Sequence, residues 1–183
     1  MPIPHFRLAP DAAMTNPTEN SPSFASAPVQ GRLRSWWEDL SENRGDRAEL
    51  KRSHSVDEVL LTEAYHKLRL RVAGTGLQFT GNQLGPVAGL LAHVDEDAPN
   101  GGALGAHMAG GSPEEDVPVS GRRFRRLLEH ESRDDLYRPM IRIIRLLDRR
   151  LSVGALAKDV YFWDTGVRKR WARSYYENAL DEV

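Results

Sequence analysis

Arg138, Arg142, Arg145 and Arg149 recur at intervals of four, three and four residues. That spacing aligns them on one side of an α-helix. Met140, Ile143, Ile144, Leu147 and Leu151 fall on the other side. The stretch Ser120–Arg150, SGRRFRRLLEHESRDDLYRPMIRIIRLLDRR, therefore has one face for a core and one for charge. Its first part repeats the scheme, with Phe124, Leu127 and Leu128 in an apolar stripe and Arg122, Arg125 and Arg126 directed elsewhere. Helices of this kind must bury their aliphatic side against other helices. Nowhere in the 183 residues does a period-two segment bounded by hairpin turns offer a strand instead. The expected fold class is all-α: two small helical-bundle subdomains joined by a long acidic, glycine-rich loop.

The formal net charge is −1, which alone argues against a polyanionic partner. Its distribution argues the opposite. Residues 120–173 hold 15 Lys/Arg against 7 Asp/Glu, a net of +8, whereas residues 74–119 hold 6 acids and no Lys/Arg. An approaching polyanion responds to the local field, not to the total. There are no cysteines, which excludes disulfides and thiol catalysis and fits a reducing cytoplasm. No apolar run reaches membrane-spanning length, and the N-terminal residues lack the hydrophobic core of a signal peptide. These features lead us to expect a cytoplasmic protein.

Residues 1–30, rich in Pro, Ser, Ala and Asn, are expected to be a disordered tail, because they hold too little apolar surface to offset ordering entropy. An N-terminal helical subdomain is expected over 31–94. Leu33, Trp36, Trp37 and Leu40 share a helical stripe, which assigns the paired tryptophans to packing more readily than to base stacking. Asp46 with Glu49, Ser55 with Glu58, and Thr62 read as helix caps. Lys51 and Arg52 close one helix, where they complement its dipole or meet a phosphate. The segment 74–81, GTGLQFTG, lacks the Gly-Lys-Ser/Thr ending of a phosphate-cradling loop. Residues 84–94 then read as a buried helix of small residues. Residues 95–118 are expected to be the mobile acidic loop. A basic helical subdomain is expected over 119–183, with caps at Ser120, Ser132, Ser152 and Asp164 or Thr165. Its last helix packs through Val167, Trp171, Tyr175 and Leu180, and Arg168, Lys169, Arg170 and Arg173 extend its positive surface.

No catalytic motif is present: no Gly-x-Ser-x-Gly elbow, no His-Glu-x-x-His, no dinucleotide fingerprint. His93 and His107 flank acidic residues without metal-ligand spacing. The sequence therefore implies no catalytic residue, no metal and no cofactor. Three binding readings stand. One is a backbone-binding subunit. Another is a free-standing helical DNA-binding regulator, which needs base-reading Asn or Gln that the basic helices lack. The third is a helical scaffold whose tryptophans and arginines meet acidic proteins.

The order of several segments resembles one family. Trp36-Trp37 is followed by GDRAELKR at 45–52, AYHKL at 64–68, VAGLLAHV at 87–94, VSGRRFRRLL at 119–128 and RWARSYY at 170–176. Together they resemble the CasB family, the small subunit of the type I-E CRISPR surveillance complex Cascade, over about residues 33–176. The resemblance implies an all-helical, non-catalytic structural subunit of an RNA-guided interference complex. It implies partners in guide RNA, target DNA, the other Cascade subunits and a second copy of itself, with the guide–target duplex braced and the displaced strand held in the R-loop. The family's basic positions match at Arg52, Arg122, Arg123 and Arg142. Helical phase and local charge add Lys51, Arg126, Arg145, Arg149, Lys169 and Arg170 as candidate nucleic-acid contacts. Arginine suits this task because its planar, permanently charged fork donates paired hydrogen bonds to phosphate.

Overall fold

A computed structural model of the chain describes residues 22–99, 102–110 and 117–179. Its helices are α1 (Ala27–Glu42), α2 (Arg44–Arg52), α3 (Val56–Leu60), α4 (Glu63–Ala73), α5 (Gly81–Leu91), α6 (Leu104–Met108), α7 (Gly121–Leu128), α8 (Arg133–Leu146), α9 (Val153–Tyr161) and α10 (Thr165–Ala179). The all-α expectation holds. The described residues depart from it only at a two-residue parallel pairing, β1 (Glu96–Asp97) with β2 (Arg150–Leu151).

Short polar side chains start the helices by accepting the orphan N–H groups of the first turn. Ser55 accepts from the Glu58 amide at 3.2 Å, Thr62 from Tyr65 at 3.2 Å, Ser132 from Asp135 at 3.1 Å and Asp164 from Val167 at 2.8 Å. The Glu58 carboxylate in turn accepts from the amide of His54, one residue before the cap, at 2.6 Å. Two expected caps differ. Asn43, not Asp46, caps α2, and its side chain accepts from the Asp46 amide. Ser120 precedes α7 without a side-chain cap hydrogen bond.

The centre of the molecule is α5. Eight of its eleven residues are buried, Leu84 through Leu91, and it packs against α2, α3, α4, α8 and α9. A helix apolar all round must be enclosed on every side, so both halves of the chain contribute to one continuous core. Gly89 lets α8 approach: a Cβ there would stand 2.7 Å from a Tyr137 ring carbon. Around this centre α1 packs on α4, α2 and α9, and α6 packs on α10. Trp36 and Trp37 are buried, and their indole N–H groups donate to the carbonyls of Ala64 at 3.1 Å and Leu91 at 3.2 Å. They are core residues, unavailable for stacking on bases.

Order begins earlier than Gly31. Phe24 is 1% exposed and stacks on Tyr161 with ring centroids 3.9 Å apart, and Val29 is fully buried in α1. A single aromatic side chain reaching a distant helix anchors this segment, a contact that composition does not register. Residues 1–21 of the expected tail lie outside the described residues.

The acidic segment is also more structured than expected. Asp95 binds Arg47, Lys51 and Arg149, Glu96 binds Arg150, and Asp97 binds Arg34 while accepting from the Val153 amide. Further on, Leu104 and Met108 of α6 are buried against α10, where Gly105 lies so close that a Cβ would collide with the Trp171 carbonyl and Ser174. The remainder of that loop, residues 100–101 and 111–116 with Glu114, Glu115 and Asp116, lies outside the described residues, as does Leu180.

Candidate nucleic-acid interface

Three adjoining recesses run along the outer side of α7 and α8. The first is bounded by Ser120, Arg122, Arg123 and Arg126. The second, between the two helices, has a floor of Leu127, Pro139, Ile143 and Leu146 and a rim of Arg123, Arg126, His130 and Arg142. The third lies between α8 and the end of α2 and is lined by Lys51, Ser53, His54, His93, Arg138, Ile141, Arg142 and Arg145. Arg123 and Arg126 belong to the first two recesses and Arg142 to the last two. The result is one continuous arginine-lined track.

The helices place these groups by simple phase. Phe124 and Leu127 face the core from α7, so Arg122, Arg123 and Arg126 are exposed. Leu136, Tyr137, Met140, Ile143 and Ile144 are buried from α8, so Arg138, Arg142 and Arg145 are exposed. Helix α8 runs through Pro139 without a break. None of these six arginines has an ion-pair partner among the described residues. Arg138 also lines a neighbouring recess with Asp57, Glu58 and Asp134, without an ion pair to them; unpaired cations are what a surface that receives phosphate requires.

The ten residues expected to touch nucleic acid fall into three groups. Arg122, Arg123, Arg126, Arg142 and Arg145 line the track, and Lys51 joins it from α2. Arg52 and Lys169 are exposed and unpaired among the described residues, but neither lines the three recesses. Arg149 and Arg170 have other attachments. Helix α8 ends at Leu146, and Asp148 and Arg149 have φ of 51° and 58°, so Arg149 does not continue the helical stripe. It sits in the turn that closes the helix and binds Asp95 at 3.2 Å. Arg170 donates to Asp159 at 2.5 Å, a carboxylate that is 6% exposed and also accepts from Trp171 Nε1 at 2.6 Å. Its charge compensates a buried anion in the fold.

Two residues outside those ten, Arg138 and His93, also line the track, and Arg47 braces it from behind. Arg138 was in phase with the stripe. Arg47 gave no signal: it donates to the carbonyls of Ala92 at 3.0 Å and Val94 at 2.6 Å, and so ties α2 to the end of α5. His93 was set aside for want of ligand spacing, yet it lines the third recess while only 4% exposed. Asp95 opposes the cations here. Burial pushes its carboxyl up, but Arg149, Lys51 and Arg47 outweigh that effect and hold it below the usual carboxylate range.

Burial, then the fields of Lys51, Arg145, Arg149 and Arg47, pushes the His93 imidazole down to about 4 from its ordinary 6.5. Below about 6.5 the unfolded chain takes up a proton that the folded chain refuses. Stability is therefore full above that pH and declines as pH falls toward 4. The decline due to His93 is on the order of 2 to 3 kcal/mol. Denaturant melts from neutral pH to about 4 should show it in the parent and lack it in His93→Gln. An identical acid slope in both would assign the effect to another group.

Among the described residues no group of three or more His, Cys, Asp or Glu side chains stands together to hold a metal, and no helix is long and apolar enough to cross a membrane.

Fold and site together define a class: an all-helical protein with one continuous arginine face, unpaired among the described residues. Family comparison then places it. CRISPR-associated protein Cse2 matches residues 46–176, more than two thirds of the sequence, and the chain belongs to that family. Among solved structures it is similar to a chain in the crystal structure of E. coli Cascade bound to a PAM-containing dsDNA target with a 32-nt spacer. The TM-score is 0.61 at 18% identity, over 82% of this chain and 95% of that one. No curated protein matches the chain.

Proposed function

We propose that this Cse2-family chain is a non-catalytic structural subunit of a type I-E CRISPR interference complex. It grips nucleic-acid backbone without reading sequence, bracing the guide RNA–target duplex and holding the displaced DNA strand. The carrying observation is the continuity of the track: Arg142 lines two adjoining recesses, and Arg123 and Arg126 join the second of them to a third. A strand laid along it meets cations in succession, with no carboxylate among the described lining residues. In RNA-guided recognition, base pairing reads the sequence, and protein contacts to backbone and displaced strand stabilise the opened duplex. Arg122, Arg123, Arg126, Arg142 and Arg145 are the principal contacts. Lys51, Arg52 and Lys169 lie to the sides. Arg149 contributes field through the Asp95 cluster, and Arg170 serves chiefly in the fold. The partners are guide RNA, target DNA, the other Cascade subunits and a second copy of this chain.

The testing experiment is R-loop formation by a reconstituted guide-RNA complex, with and without this chain, across a salt series. Omission should shorten R-loop lifetime. With the chain present, each phosphate contact should add about 0.7 to 0.9 to the salt slope. A chain that neither joins the complex nor alters the R-loop refutes the proposal.

A further inference from the structure

The third recess contains a group that a merely solvated basic surface has no use for. His93 follows the end of α5 and is 4% exposed. Its Nε2 is buried and has no hydrogen-bond partner among the described residues. Native structures rarely leave a buried polar atom unpaired, and an unpaired one calls for an explanation. The explanation here lies in what shares the recess, a space of about 330 Å³. Lys51 lines it from α2, and Arg138, Arg142 and Arg145 line it from α8. No carboxylate is among its described lining residues. Asp95, which pairs with Lys51, is shared with Arg47 and Arg149. Four cations repel a metal ion, and with Ile141 the only aliphatic side chain among the described lining residues, a nucleobase would find little to stack on. A tetrahedral oxyanion fits: the cations supply its countercharge and the imidazole supplies a directed N–H.

Resting on the function proposed above, we propose that His93, Lys51, Arg138, Arg142 and Arg145 form a discrete niche for one phosphodiester group of a bound strand, with His93 Nε2 as its inner donor. Arg138, Arg142 and Arg145 are exposed and without ion-pair partners among the described residues, so their side chains can swing aside as the phosphate enters and close on it afterwards. The rest of the track accepts a phosphate at any position along it, because exposed arginines follow a sliding charge. The niche differs in that a phosphate must shed water to reach a buried nitrogen. It sets the register of a strand that is otherwise held without preference.

Proton linkage follows from the same geometry. The charged groups around the imidazole are Lys51 and Arg47 from α2, Arg138, Arg142 and Arg145 from α8, Arg149 and Asp95 from the turns, and His54 on the rim. In the free protein burial, reinforced by the cations, keeps His93 neutral at pH 7. A seated oxyanion reverses the local field and favours the imidazolium. The bound state therefore holds more protons than the free state, and affinity rises as pH falls.

The test uses the full chain with a homopolymeric single-stranded DNA, and separately with inorganic phosphate. Affinity is measured from pH 8 to 6 for parent, His93→Leu, His93→Gln and His66→Gln, and the imidazole nitrogens of the parent are followed by NMR. The parent should gain affinity for the strand as pH falls, and its His93 resonances should move on titration. His93→Leu should bind the strand roughly tenfold more weakly at the lower pH and lose the pH dependence. His93→Gln should keep much of the affinity without the pH dependence, and His66→Gln, on α4 and outside the three recesses, should behave as the parent. Unchanged strand affinity in His93→Leu, with Arg142→Ala/Arg145→Ala weakened, overturns the niche and leaves the proposed function standing. If the arginine variant also binds as the parent does, both fall. If His93→Leu weakens inorganic phosphate but not the strand, the site takes a free oxyanion and the assignment to backbone is wrong. If His93→Leu fails to fold, the parent's NMR decides: His93 resonances that stay put during strand titration overturn the niche.

Discussion

Replacing Arg142 and Arg145 together by alanine should shorten R-loop lifetime by about one to two orders of magnitude at low salt, with the effect fading as salt rises. The magnitude follows from counterion release. Each lost phosphate contact removes about 0.7 to 0.9 from the slope of log affinity against log salt, so the pair removes about 1.4 to 1.8. The fold should be indifferent. Both side chains are exposed and unpaired among the described residues, and their helix is held by Met140, Ile143 and Ile144 on the opposite side. Thermal melting of the variant is the control. An R-loop lifetime equal to the parent's, in protein that melts normally and enters the complex, would remove the track from the account of function.

Gly89→Val should have the largest effect on stability, about 4 kcal/mol. The Tyr137 ring lies across Gly89, 2.7 to 2.8 Å from where a Cβ would be. Tyr137 has no room to withdraw, being 1% exposed, with its hydroxyl donating toward the Ser53 carbonyl at 3.4 Å. Valine adds two methyl groups beyond that Cβ. Denaturant unfolding measures the loss. Tyr137→Leu on the same background should recover part of it, because the clash lies with ring atoms. A Gly89→Val protein as stable as the parent would mean that α5 and α8 are packed less tightly than described.

Much of this architecture is written locally in the sequence. Ser55, Thr62, Ser132 and Asp164 announce helix starts because a cap is a contact over three residues. The core and arginine faces of α7 and α8 follow from period alone, which made Arg122, Arg123, Arg126, Arg142 and Arg145 legible. The rest depends on contacts far along the chain. Phe24 is ordered by Tyr161, residues 95–97 by cations from α1, α2 and β2, and α6 by the backbone of α10. No window of sequence contains both partners. Arg149 shows the limit of periodicity, since the helical phase is correct but the helix stops three residues earlier, at Leu146. His93 went unvalued for the same reason: its surroundings come from α2 and α8, not from its neighbours.

The position of α5 also has a consequence for how the chain is made. Its α2, α3 and α4 neighbours precede it on the ribosome, but α8 and α9 follow, and α9 ends at Tyr161, about 70 residues after Leu91. At about 5 to 20 residues per second, the apolar flank of α5 waits roughly 4 to 14 s for its cover. Over that interval the nascent protein presents a sticky helix to whatever is nearby. Slow codons in the second half of the message would prolong the exposure. Yield in the cell is therefore tied to the pace of translation through residue 161, a dependence that the stability of the finished protein does not reveal.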